Sequence, residues 1–447
     1  MSAPQLDAIR ACFEGVIPGT VATADLEGTP NLAYVSQVQY IDASHVALSY
    51  QFFNKTRHNL LSSQHALVSV IDPYTAAQYR LRLEFLRTER AGPLFESMKA
   101  KLAGLASHAG MSDVFTLLGA DVFKVHGLER VPGATLEAPP QRRNLLSVLR
   151  HACERMRANG DLELLLTETL ACLETEFGIE HAMALLYDEA GQRLYTLASR
   201  GYDTSGVGSE IPLGDGVIGV AARERTPIRI SHTTSEYAYN RAIRNSTVDF
   251  GFGAALETEI PLPGLAESRS QLAVPVMAAH KLIGVLYVES RHDLRFSYDD
   301  EDALVTLAAQ LGMAIQIMQA QADNAEEVAA ARSAPAAIGG ELLIVKHFPE
   351  NDSVFLGDDY LIKGVAGSIF SVLVRDCIET GRTEFTNREI RLDARIRLPD
   401  VSDNLEARLL LLSRRLIERQ APVRIEKTGR GRFRLVTERP LKLVVGV

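Results

Sequence analysis

The sequence predicts a multidomain α+β chain, and three observations carry that expectation. Its 447 residues correspond to about three domains at roughly 150 residues each. Two stretches read as linkers: 131–143, with three prolines and no hydrophobic period, and 321–340, rich in alanine and closed by Pro335 and Gly339–Gly340. The modules they separate, 1–130, 144–320 and 341–447, are each long enough to bury a core. Charge is also uneven. The total is −9, but residues 403–442 hold eleven basic and five acidic residues, so this segment is +6 and the rest is −15. A basic end on an acidic body points to a polyanion partner or to a solvated basic face.

Composition excludes several classes. Hydrophobic residues are 46%, charged residues 23%, and mean hydropathy is +0.01. No apolar run approaches the roughly 18 residues of a membrane span, and MSAPQLDAIRACFEGV lacks the pattern of a secretory signal. Cys12, Cys153, Cys172 and Cys377 form no CxxC pair. The expectation is a cytoplasmic protein with reduced thiols, no membrane partner and no cysteine zinc site.

In the first module, residues 4–14 fit a short helix. Strand patterns follow at 19–25, 31–41, 45–52, 66–72, 78–87 and 119–129, separated by turns such as Glu27–Gly28–Thr29–Pro30 and Asp72–Pro73. Short strands with close turns predict an antiparallel barrel or sandwich, and a helix at 92–108 interrupts the last two. After the strand 45–52, Lys55, Thr56, Arg57 and Asn59 open a short helix. Free N–H groups there, with Lys55 and Thr56 beside them, make a phosphate seat or a capped helix with exposed cations. Over about residues 5–130 this order resembles the pyridoxamine 5′-phosphate oxidase-like, FMN-binding split barrel. The resemblance implies FMN held by Ser49, Lys55, Thr56, Asn59 and Gln78, and a homodimer that builds the flavin site between its subunits. The arginine and histidine with which that family holds pyridoxal phosphate have no counterpart placed here, so oxidation of vitamin B6 is not expected.

The middle module opens with leucine-rich helices over 144–178, broken at Asn159–Gly160–Asp161, followed by strands at 181–187, 193–199, 271–277 and 282–289. Ser297 followed by Asp299, Asp300, Glu301 and Asp302 reads as a capped first helical turn rather than a metal site. Gly214–Asp215–Gly216–Val217–Ile218–Gly219 spells GxGxxG, but its helix must end by Thr226–Pro227, too short for a dinucleotide crossover. The segments IPLGDGVIGVAARERTPIRIS (211–231) and SQLAVPVMAAHKLIGVLYVESRHDLRFSYDDEDAL (270–304) resemble a GAF domain. The resemblance implies an α/β sandwich with a central antiparallel sheet, and a domain that binds a small molecule or dimerises. Residues 232–256 would wall the pocket, with His232, Tyr239 and Arg241 as ligand contacts; the ligand is left unnamed. Absence of cysteine there argues against a covalent bilin. The closing helix is predicted to run from about 299 to 332, near 50 Å at 1.5 Å per residue.

The last module reads as strands over 341–362, a helix at 366–380 closed by Gly381, a short helix opened by Thr386–Asn387–Arg388–Glu389, a third helix at 403–419, and a hairpin around Gly429–Arg430–Gly431. This order, with DNLEARLLLLSRRLIE and IEKTGRGRFRL, resembles the winged helix-turn-helix effector domain of response regulators. It implies DNA contacts by Asn404, Arg408 and Arg415 on the third helix and by Arg430 and Arg432 at the wing. Leu410 and Leu411 are apolar where a groove helix carries polar readers, which keeps open a winged helix used for protein contacts. The combined expectation is a ligand- or redox-sensing transcriptional regulator with two sensor modules and a DNA-binding output. The alternative is a flavin-dependent oxidoreductase with regulatory and assembly domains. No catalytic or metal-binding residue is assigned.

Overall fold

A computed structural model describes residues 5–15, 17–51, 54–108, 116–138, 144–157, 160–231, 260–323, 341–396, 405–429 and 431–446. The N-terminal module opens with a 3₁₀ helix, Leu6–Phe13, rather than an α-helix. Seven strands follow: β1 Gly19–Ala24, β2 Pro30–Val35, β3 Val38–Asp42, β4 His45–Tyr50, β5 His65–Ile71, β6 Gln78–Glu89 and β7 Gly119–Arg130. They form one antiparallel sheet in the order β2-β1-β5-β6-β7-β4-β3. The run 31–41, expected as one strand, breaks into β2 and β3. Both ends of the sheet feed one core, in which Val35 and Val38 meet Val68, Leu81 and Phe123. Helix α1, Asn54–Ser63, joins β4 to β5, and α2, Pro93–His108, joins β6 to β7.

The middle module contains α3 Leu145–Arg157, α4 Leu162–Thr175, β8 His181–Asp188, β9 Arg193–Arg200, β10 Glu210–Pro212, α5 Gly216–Glu224, β11 Ile228–Ile230, β12 Ser270–Ala278, β13 Lys281–Ser290 and α6 Tyr298–Asp323. Its antiparallel sheet runs β10-β9-β8-β13-β12-β11. Alternation along the strands splits the apolar residues. Leu272, Val274 and Val276 face α3, α4 and α6, whereas Ala273, Val285 and Tyr287 face α5. A strand sandwiched this way reads as a nearly continuous apolar run, and QLAVPVM does. Residues Tyr298–Gln321 of α6 are long and apolar enough to cross a membrane by length and composition; here Leu304, Leu307 and Leu311 are buried against the sheet. The expected extension of this helix to 332 lies outside the described residues.

The C-terminal module begins with β14 Leu343–Phe348, β15 Ser353–Leu356 and β16 Asp359–Ile362. These strands are joined by β20, Leu441–Val445, which pairs in parallel with β14. No strand was expected at the C-terminus. Three helices follow β16: α7 Gly364–Thr380, α8 Asn387–Leu392 and α9 Leu405–Glu418. A second sheet combines β17 Glu384–Thr386 with the hairpin of β18 Val423–Gly429 and β19 Arg432–Thr437. The expected capping box is present, Thr386 with Glu389, and Gly381 closes α7 at a φ of 69°.

Candidate functional site

At the N-terminal module, Ser49, Lys55, Thr56 and Asn59 gather where β4 leads into α1. Three of them are tied into the fold. The Ser49 Oγ accepts from the Gln37 N–H at 3.3 Å, the Thr56 Oγ1 accepts from Asn31 at 2.8 Å, and the Asn59 amide donates to Thr23 at 3.1 Å. Lys55 is exposed, while the neighbouring Arg57 is held by Asp121 and donates to Thr88 at 2.7 Å. The Asn59 Oδ1 and both amide atoms of buried Gln51 have no partner, so this corner retains unspent hydrogen-bonding capacity.

Gln78 does not join them. Ser49 lies opposite Ala120, which lies opposite Glu89 at the far end of the twelve-residue strand that Gln78 opens. At about 3.3 Å per residue the length of β6 between Gln78 and Glu89 is at most roughly 36 Å, so Gln78 lies at the opposite end of the strand from Ser49. The five residues expected to hold flavin are therefore not brought together within one chain.

In the middle module His232, Tyr239 and Arg241 lie outside the described residues. The GxGxxG segment has a packing role. Gly214 and Gly216 adopt φ of 85° and 56°, and a Cβ on Gly219 would lie 2.4 Å from the Pro212 carbonyl oxygen. The helix it opens has nine residues, as its early stop predicted. Ser297 caps α6, its Oγ accepting from the Asp300 N–H at 3.2 Å. Among the described residues no cluster of histidine, cysteine and carboxylate side chains could hold a metal.

The C-terminal module departs most from expectation. Asn404 and Arg430 lie outside the described residues, but Arg408 and Arg415 are each 5% exposed, so neither offers a free cation to DNA in this conformation. The cause is α9, whose LEARLLLLSRRLIE carries leucines all round. Leu412 and Leu416 bury in the module's own core, while Arg408 and Arg414 meet β8 and β9 of the middle sheet and Leu411 meets Gly208. The Arg408 guanidinium pairs with Asp188 at 2.9 Å and lies 4.6 Å from the centre of the Tyr195 ring. Arg414 donates to the Leu197 carbonyl at 2.7 Å, and burial pulls its pKa down. Arg415 donates to the Leu361 carbonyl at 3.1 Å and pairs with Glu418 at 2.8 Å.

Around this helix, Lys427 pairs with Asp161, Lys363 with Glu210 at 3.4 Å, and Ser205 donates to Glu418. Arg432 is half-buried on β19 beside a cavity of about 750 Å³ that Asp161, Met318, Leu409, Leu410 and Phe433 also line. The sequence singled out the arginines but not their acceptors, Asp188, Glu163 and Glu418. Only the leucine saturation of α9 hinted that both its faces are covered.

A second buried assembly, also unforeseen, joins the N-terminal and middle modules. Arg229 on β11 pairs with Glu14, pairs with Glu301 at 2.7 Å, and donates to the Phe296 carbonyl at 2.9 Å. It lies 4.3 Å from the Tyr298 ring centre. Burial opposes its charge, but Glu14 and Glu301 outweigh that and raise its pKa. Lys101 of α2 donates to the Phe13 carbonyl at 2.7 Å. Burial, with Arg229 nearby, lowers its pKa to about 8.

With this geometry in place, comparison with known proteins defines the middle module. Its layered antiparallel sheet, with helices on both faces, is that of a recognised domain class. Specifically, residues 161–315 match the GAF domain family. No curated protein matches the chain. Among solved structures, the chain is similar to the GAF domain of an Acinetobacter phosphoenolpyruvate-protein phosphotransferase, at 26% identity, covering 39% of this chain and 94% of that one with a TM-score of 0.32. It is also similar to an FMN-binding protein from Syntrophomonas wolfei, at 20% identity over 29% of this chain and 86% of that one, TM-score 0.25. A third similarity is to free methionine-R-sulfoxide reductase from Neisseria meningitidis, at 22% identity over 40% and 91%, TM-score 0.30.

Proposed function

We propose that the chain is a ligand-responsive regulator in which the GAF domain senses a small molecule and the C-terminal module, a winged helix, is an output directed at DNA. The observation that carries this reading is the seating of α9 on β9: one apolar core runs from Leu197 and Leu272 of the GAF domain into Leu409 and Leu412. A change of shape in the sensor is thereby felt by the helix that would meet the duplex. The order of α7, α8, α9 and the β18–β19 hairpin supports the winged helix.

The N-terminal module acts in a homodimer on this reading. Leu32 and Tyr34, 72% and 76% exposed on edge strand β2, offer an apolar face to a second copy. Flavin would then need Gln78 from that copy. Unpaired Cys12 and Cys172 are buried thiols and fit a reducing cytoplasm.

Titration of a fluorescent duplex with the full chain tests the output. Affinity should fall steeply between about 50 and about 200 mM salt, as phosphate contacts require. No salt-sensitive binding by the wild-type chain or by the released variants described below would remove the DNA output.

A further inference from the structure

We propose that α9 and the β8–β9 part of the GAF sheet form a self-inhibiting clasp: the face of the C-terminal module that would engage DNA is the face by which the GAF domain holds it. This rests on the DNA-output reading above. Three observations place the clasp. First, cations on α9 are satisfied by the GAF domain rather than only within their own module. Arg408 has Asp188 and Tyr195, while Arg414 has the Leu197 carbonyl and, at 3.8 Å, Glu163.

Second, the GAF backbone comes into contact with the helix at Gly208. Gly208 stands at a φ of 90°; a Cβ added there would lie 2.7 Å from the GAF domain's own Ile260 Cδ1, with the Arg415 Cδ and Leu411 Cδ1 of α9 in ordinary contact at 3.4 and 3.7 Å. A side chain at this point would be strained by the backbone and would press on Ile260, so glycine lets this turn lie directly against α9.

Third, the rim is ionic: Lys427 with Asp161, Lys363 with Glu210. Carboxylates of the acidic body thus occupy positions around the basic module that phosphates would otherwise take. DNA and the GAF surface therefore compete for Arg408 and for the α9 face, and a ligand that reshapes β9 or Gly208 shifts that competition.

The test uses the full chain in two forms. Asp188→Lys with Asp161→Lys places like charge against Arg408 and Lys427 and should release α9. Ser205→Cys with Glu418→Cys should lock the seat when oxidised. Hydrogen exchange over 405–418 reports seating, and anisotropy of a labelled duplex reports binding. Release should raise exchange and tighten DNA binding by about tenfold, within the usual range of such couplings. Oxidation of the lock should weaken binding, and reduction should restore it.

A wild-type chain that already binds DNA as tightly as the released one would overturn the clasp while leaving the DNA output standing. A released α9 with no DNA binding in any chain would overturn both. Should the lysine pair unfold the GAF domain, Asp188→Asn with Ser205→Ala removes contacts without adding charge, and the lock reads the same competition from the other side. A lock that leaves affinity unchanged would also overturn the clasp.

Discussion

Between the N-terminal module and the GAF domain the charges are inside: Glu14, Lys101 and Arg229 are all buried, and among the described residues Tyr298 is the one GAF side chain buried in the N-terminal core. Between the GAF domain and the C-terminal module the leucines are inside together with the Arg408–Asp188 pair, and ion pairs such as Lys427–Asp161 are set around them. The two seams answer differently to being opened. Parting the first breaks the Arg229–Glu14 pair and the Lys101 and Tyr298 contacts that lock around it, a tightly hydrogen-bonded joint. Parting the second wets apolar surface and frees cations that water or phosphate can take. The first seam therefore suits a fixed mount and the second a detachable one.

Four substitutions break or sharpen that contrast. The largest effect is expected at Glu14→Ala, which leaves Arg229 buried with one carboxylate fewer. Denaturant unfolding should show a loss of about 4 kcal/mol, and adding Arg229→Met should recover part of it. Leu412→Ala, at a fully buried position of α9, should cost about 3 kcal/mol by calorimetry through the cavity it leaves.

Lys101 gives a pH signature confined to the first seam. Its folded pKa of about 8 lies below the ordinary 10.5. The unfolded chain binds the extra proton between those values, so stability rises with pH across that window. The penalty is fully present below pH 8. The rise, measured as the difference between wild type and Lys101→Met, is at most roughly 3 kcal/mol at 1.4 kcal/mol per pH unit. A flat difference across the window would place the lysine's charge elsewhere. The smallest effect belongs to the second rim: Lys427→Ala should cost below about 1 kcal/mol, because the pair is half in solvent.

Much of this architecture is legible in the sequence. Period-two patterning and turn residues mark the strands of all three modules. Thr386 with Glu389, Ser297 with Asp300, and Gly381 announce helix ends through local chemistry alone. What is not legible is long-range. The fate of Arg408 depends on Asp188, over two hundred residues away, and no local pattern joins them. Strand β20 is short, half-exposed and pairs with a strand about a hundred residues earlier, so its register has no nearby signal. Gln78 sits at a sensible place in the element order, yet pairing register carries it along β6 away from Ser49. The clearest warning was compositional: LLLL in the third helix has no polar side to turn toward a groove.

Distance between the two modules offers the most direct view of the clasp. Spin labels at exposed Glu189, beyond β8, and exposed Arg419, beyond α9, would report it by double electron–electron resonance. A short, narrow distribution is expected for the chain alone, with a longer one appearing as duplex DNA saturates the protein. A distribution unchanged at saturating DNA would contradict a detachable C-terminal module.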